Sequence, residues 1–278
     1  MIRAIVDCEF LLDGGAMNGI VPRALWKKHH PPDDEGRIEL VCRCHVFEDK
    51  KDGRLWLVEA GMGDGWSEKE RQIYGIRPVE GGVTIASGLK KIGYAADDVT
   101  DLVLTHLHFD HAAGAVTRED GRTRLTFPRA AIHVQRSQLD WALAPSARDA
   151  DSFRPDDVKF LASSKNLALV DGAKKLSDTV SVDPFYGHTQ GMQTVTIRCS
   201  GGTVVVAADL IPIFSHVRIP WVMAYDNHPL KTIEEKTRFL RQAEDLGWII
   251  ASVHDAKIPA ATIPLTQVSL PIKSQGGT

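Results

Sequence analysis

A mixed α/β fold follows from three features of this 278-residue chain. Short apolar runs of strand length are separated by segments with helical periodicity. Glycine and proline are scattered, with no low-complexity linker and no internal repeat, so one domain spanning residues 1–278 is expected. The polar residues that invite a chemical reading recur where apolar runs stop, which is where α/β scaffolds place their chemistry.

The N-terminal stretch MIRAIVDCEFLLDGG has its apolar run broken by Asp7 and Glu9 and does not read as a secretory signal. Residues 38–46 and 54–58 read as strands, joined by the charged, glycine-containing loop EDKKDG, and EAGMGDGW is a glycine-rich turn after the second. A helix is predicted over 86–92, a buried strand over 102–104, another strand over 130–134 and a helix over 137–143. Residues 144–178 give no clear pattern. QTVTIRCSGGTVVVAAD predicts two strands around a tight turn at 200–202, the second ending at Asp209. In KTIEEKTRFLRQAEDLGW, Thr232 and Glu235 have capping-box spacing, and Ile233, Thr237, Leu240 and Ala243 share one helical face. GWIIASVHDA returns as a strand that stops at His254.

With 33 basic against 36 acidic side chains and a net charge of −3, nothing attracts a phosphate backbone or an anionic lipid surface. Nucleic acid and membrane are therefore not expected partners, and no run approaches the roughly 18 apolar residues of a membrane span. A homodimer is compatible with the chain. Cys8, Cys42, Cys44 and Cys199 form no CxxC pair. They read as free thiols, which points to the cytoplasm.

The segment VLTHLHFDHAAG carries three histidines and an aspartate within six positions. Crowding these groups adds nothing to packing and costs desolvation unless something binds them. If the chain leaves a strand at Thr105, His106 and His108 repeat with period two on one side. If it then turns into a helix after Phe109, Asp110 and His111 swing round to a second position, with Ala112, Ala113 and Gly114 small enough for close approach. Four donors cannot complete two metal spheres, so partners are needed at other strand ends. His188, Asp209 and His254 supply them.

H-x-H-x-D-H followed at long intervals by His, Asp and His resembles the metallo-β-lactamase superfamily, from about residue 38 to the C-terminus, and HLHFDHA looks like its lactonase and glyoxalase-II-like branches. The resemblance implies an α/β (α+β) fold, a four-layer αββα sandwich with metals at one edge. It implies that His106, His108 and His188 hold one metal, that Asp110, His111 and His254 hold a second, and that Asp209 bridges them. Two divalent ions are implied, Zn2+ first, with Mn, Fe or Co able to use the same donors. The implied activity is hydrolysis of a small lactone, ester, thioester or related molecule by a metal-bridging hydroxide, with Asp110 as the catalytic carboxylate.

Met17, Trp26, Phe109, Phe214, Trp221, Met223 and Tyr225 are pocket candidates, Phe109 foremost because its neighbours are ligands, and His216 reaches the rim on this reading. Two departures stand out. Glu59-Ala60-Gly61 occupies the place of the family's D-T-G turn, and Pro212 the place of a tyrosine that related acyl-homoserine lactonases carry after the bridging aspartate, a role Tyr225 is the candidate to fill. His29, His30, His45, His133 and His228 are left as structural or surface residues. Two other functions fit the same motif: a mononuclear iron dioxygenase acting on persulfides, without Asp110 and His111 at the metal, and a binding protein with an idle metal site.

Overall fold

The computed structural model describes residues 1–78 and 84–269. Among them, one seven-stranded sheet runs in the order Arg77–Pro78, Ile2–Asp13, Arg37–Asp49, Arg54–Val58, Asp101–Val103, Ala131–Gln135, Leu167–Val170. It is antiparallel as far as Arg54–Val58 and parallel beyond. A second runs Lys174–Lys175, Val180–Phe185, Met192–Cys199, Gly202–Val206, Ile249–Ala251, Ala260–Thr262, Thr266–Gln267. Its one parallel pair joins Gly202–Val206 to Ile249–Ala251, and the helix Pro229–Asp245 lies on the crossover between them, as a parallel connection requires.

Period-two alternation divides each strand between two cores. Trp56 and Val58 face the second sheet and pack with Val103, Val195, Val204 and Val206, while Leu55 and Leu57 point outward. That outer face is covered by the helices Ile85–Lys91, Arg136–Leu143 and Pro155–Ala162 through Leu89, Leu139 and Leu161. On the other side Val205 and Ile250 meet Phe239, Leu240 and Ala243 of Pro229–Asp245. The four layers are thus α, β, β, α, with each fully buried Val, Leu or Ile contributing about 1.5–3 kcal/mol.

Several sequence expectations are corrected. The strand expected to end at Asp209 stops at Val206, because Ala208 takes a left-handed φ of 48° and the chain turns through a short 3-10 segment, Ala208–Leu210. The strand expected to reach His254 likewise stops at Ala251. The long helix begins at Pro229, whose fixed φ suits a first helical position. Thr232 and Glu235 therefore lie inside it and form no capping box. Glu235 accepts hydrogen bonds from the backbone N–H groups of Tyr186 and Gly187 at 3.0–3.1 Å, and the Thr232 hydroxyl donates to the carbonyl of His228. Gly187 lies so close to Thr232 that a Cβ would overlap its backbone, so the helix start fixes the chain entering His188. The buried face runs through Thr232, Glu235, Lys236, Phe239, Leu240 and Ala243, leaving Ile233 and Thr237 half-buried.

Candidate metal centre

The strand Asp101–Val103 ends three residues before His106, and the one-turn helix Phe109–Ala112 begins directly after His108. Behind this segment the turn after Arg54–Val58 presses close. The N–H of Ala60 donates to the carbonyl of His111 at 2.8 Å and that of Gly114 to the carbonyl of Gly61 at 3.0 Å. A Cβ on Gly114 would overlap the carbonyl oxygen of Ala60, so only glycine permits this approach. Asp7 locks the turn from the far side. It sits at a bulge in the N-terminal strand and accepts from the N–H groups of Met62, Gly63 and Ile85 at 2.8–3.0 Å.

All seven donors read from the sequence converge. His106 Nε2 and His188 Nε2 each lie 3.1 Å from His108 Nδ1. His111 Nε2 lies 3.0 Å from His254 Nε2, and Asp110 Oδ2 lies 3.4 Å from His254 Nε2 and 3.7 Å from His111 Nε2. Asp209 sits between the two groups. Its Oδ2 is 3.3 Å from His188 Nε2, and its Oδ1 is 3.2 Å from His254 Nε2 and 3.4 Å from His111 Nε2.

The second ring nitrogens fix which atoms face inward. His254 Nδ1–H donates to the carbonyl of Val41 at 2.9 Å, His188 Nδ1–H to Asp226 Oδ1 at 2.9 Å, and His111 Nδ1–H to Glu59 Oε1 at 3.0 Å. His106 Nδ1–H donates at 3.0 Å to the Thr105 hydroxyl, which in turn donates to Glu59. With these nitrogens engaged, the Nε2 atoms of four imidazoles point at their neighbours, an arrangement that repels unless positive charge, a proton or a metal ion, lies between them. Two ligands about 2.0–2.1 Å from one tetrahedral cation lie about 3.3–3.4 Å apart, close to the spacings here. The donor set therefore fits divalent metal.

Electrostatics agree. Burial, reinforced by the surrounding imidazoles, holds His106 and His108 well below the ordinary histidine value, so both are neutral. Burial also opposes charge on His111 and His188, but Asp209 together with Asp110 and Glu59 at the first, and with Asp226 at the second, outweighs it and raises both. Burial pushes Asp209 up, and His111, His254 and His188 overcome it and hold the carboxyl well below its usual value. The carboxylates thus draw positive charge onto His111 and His188, the charge a bound cation would supply.

Glu59, at a left-handed φ of 68° and at the place where the sequence departs from the family's turn, accepts from His111 Nδ1–H and the Thr105 hydroxyl and so orients His111 and, through Thr105, His106. Asp226 had no such signal. It lies three residues before Pro229, and only the rule that a ligating histidine has an acceptor on its other nitrogen anticipates it.

Above the donors opens a cavity of roughly 150 Å³, walled by Leu12, Met17, Leu40, Tyr74, Phe109, Met223 and Tyr225, with Asp151 and Ser152 also lining it and His108, Asp110, His188, Asp209 and His254 at its base. Of the pocket candidates, Met17, Phe109, Met223 and Tyr225 line it, and Trp26, Phe214, Trp221 and His216 do not. The Phe214 N–H donates to Asp255 Oδ2 at 2.9 Å, and its ring packs with Phe239 and Leu240 in the outer core. His216 is buried beside Trp221, 6.5 Å between ring centroids, and near Lys236. Trp26 is core under Gly14, and Trp221 packs on His29. His133 Nε2–H donates to Asp101 Oδ1 at 2.8 Å and the ring stacks on Trp56, a structural role.

Comparison with known proteins agrees with this geometry. The model of the metallo-beta-lactamase superfamily matches residues 37–254. A probable metallo-hydrolase of Mycobacterium tuberculosis is 26% identical over 273 residues, covering 86% of this chain and 84% of its own length. An N-acyl homoserine lactonase of Bacillus thuringiensis is 27% identical over 181 residues, covering 62% and 64%. Among solved structures, a probable metal-dependent hydrolase from Staphylococcus aureus superposes with a TM-score of 0.85 at 25% identity, covering 94% of this chain and 91% of that one. The dizinc quorum-quenching lactonase AidC gives 0.76 at 19%, covering 100% and 95%, a likeness of fold. Family model, four-layer sandwich and converging donors coincide on one conclusion: the chain belongs to the metallo-beta-lactamase superfamily.

Proposed function

We propose that this metal-dependent hydrolase uses two divalent ions, zinc first among them, to cleave a small ester-like molecule: a lactone, ester or thioester. The observation that carries the reading is Asp209, whose two carboxylate oxygens address different groups of donors, His188 on one side and His111 with His254 on the other. His106, His108 and His188 would hold one ion, and Asp110, His111 and His254 the other. Metal bound there would supply an acidified water, its pKa lowered to about 7, and would polarise the substrate carbonyl.

The chain's own groups supply the rest. Glu59, Thr105, Asp226 and the Val41 carbonyl hold four imidazoles in the required tautomer. Asp110, with a side chain 12% exposed against 8% for Asp209, faces both the centre and the cavity. It is placed to hold the proton taken from the nucleophile and deliver it to the leaving oxygen. The apolar walls seat the body of the substrate and exclude water. Relatives named lactonases support a lactone among the substrates, and Tyr225, which lines the cavity, stands where a phenol can meet it. Four free cysteines, three of them buried, support a cytoplasmic location.

The test is metal analysis with a panel of lactones, esters and thioesters. Two metals per chain and turnover are expected, and Asp209→Ala or His106→Ala should lose both together. One iron per chain with persulfide oxidation, or two metals with no turnover on any member, would overturn the reading.

A further inference from the structure

Away from the imidazoles and carboxylates of the candidate centre, the cavity above the donors is chemically one-sided. Among the described residues that line it there is no lysine or arginine, while its carboxylates are Asp110 and Asp209 at the base and the exposed Asp151 at the mouth. Arg148, three residues before Asp151, is committed elsewhere, donating to the carbonyls of Ala224 and Asp226. The two phenols in the wall register the same field. Burial raises Tyr225 to about 12, with Asp13 and Asp110 adding to it. Burial also raises Tyr74, with Asp151, Asp110 and Glu70 adding to it. A negatively charged group on the far end of a substrate would leave water for apolar walls and meet a carboxylate.

We propose that this cavity selects substrates whose non-reacting end carries no negative charge, and that Asp151 at the mouth is the specificity-determining residue that turns anionic ones away. The proposal deepens the hydrolase reading and rests on it for the position of the reacting end. Asp151 acts as the repulsive element that discrimination between close analogues requires.

Hexanoate and adipate test this directly, because each offers one carboxylate to the centre and they differ only in a methyl or a second carboxylate at the far end. Their binding is followed by tryptophan fluorescence, in the protein as purified and after zinc loading. Hexanoate is expected to bind at least about tenfold tighter than adipate. Asp151→Lys should bring the two within about threefold, and Asp151→Asn should fall between. The preference should also shrink as salt rises past physiological strength, where the Debye length is about 8 Å. Equal affinities, no binding of either acid, or an unchanged ratio in Asp151→Lys would overturn the proposal. Turnover on the ester panel judges the hydrolase reading separately: a protein that discriminates the two acids but cleaves no ester keeps the charge selection and loses the reaction.

Discussion

Replacing Asp226 by asparagine is expected to weaken metal binding while leaving all seven donors in the chain. Asp226 is buried and accepts two hydrogen bonds, one from His188 Nδ1–H at 2.9 Å and one from the N–H of Met223 at 3.1 Å. Asparagine has the same shape but only one acceptor oxygen. If that oxygen stays on His188, the amide NH2 faces the Met223 N–H, donor against donor, and a buried N–H without an acceptor costs about 1–3 kcal/mol. If the amide flips, its NH2 faces His188 Nδ1 and drives the ring proton to Nε2, the atom that points at His108 and Asp209. A tautomer with a proton on the inward nitrogen cannot ligate. Changes to such orienting partners cost 10- to 100-fold in metal affinity, about 1.4–2.7 kcal/mol. Competition against a calibrated chelator measures the affinity, and thermal unfolding of the metal-free protein measures the packing cost separately. A zinc affinity within threefold of the wild type, whatever the melting temperature, would refute the tautomer argument.

Two further outcomes follow. Chelation should abolish activity and destabilise the fold together, since a cation at 1,000 times its Kd adds about 4.1 kcal/mol to stability, and readdition should restore both; a melting temperature indifferent to chelator would count against a resident metal. Asp7 carries a pH signature, because burial, against three backbone hydrogen bonds, raises its carboxyl from 3.8 to about 6. The folded state then holds this proton more tightly than the unfolded chain, so the contribution is greatest below about pH 4 and is lost as pH rises from about 4 to about 6, by up to about 3 kcal/mol. The difference in denaturant midpoint between wild type and Asp7→Asn should slope across that window, and a flat difference would remove the titration from Asp7.

Legibility in the sequence tracked how local the determinant is. The strand at 54–58 was readable to the residue because Leu55, Trp56, Leu57 and Val58 are all apolar and the flanking turns are polar. The N-terminal strand Ile2–Asp13 went unread: its register shifts between Val6 and Cys8, so the alternation breaks at Asp7, the residue that clamps the turn behind the centre. The candidate donors were legible because the three imidazoles and one carboxylate crowded at 106–111 have no use in a core without a ligand, which sent the search for partners to His188, Asp209 and His254 at other strand ends. Phe214 and His216 were misplaced for the opposite reason. Proximity in sequence to Asp209 says nothing of direction, and the hydrogen bond from Phe214 N–H to Asp255 commits that segment to the outer core.

The convergence itself is a property of the sandwich and not of any one segment. His106, His108 and His111 issue from the first sheet, while His188, Asp209 and His254 issue from the second. Their orienting partners cross the same boundary: Val41, on the first sheet, fixes His254 of the second, and its N–H also donates to the carbonyl of His254 at 3.1 Å. The Arg43 guanidinium, likewise from the first sheet, donates to the carbonyls of Ser252 and Asp255 at 2.8–2.9 Å, on either side of His254. Sliding one sheet against the other by a fraction of a hydrogen-bond length would separate Asp209 from His111 and break these contacts at once. Packed cores do not deform continuously in this way, so the interior that forms the fold also holds the spacing between the side chains that the two sheets bring to the candidate centre.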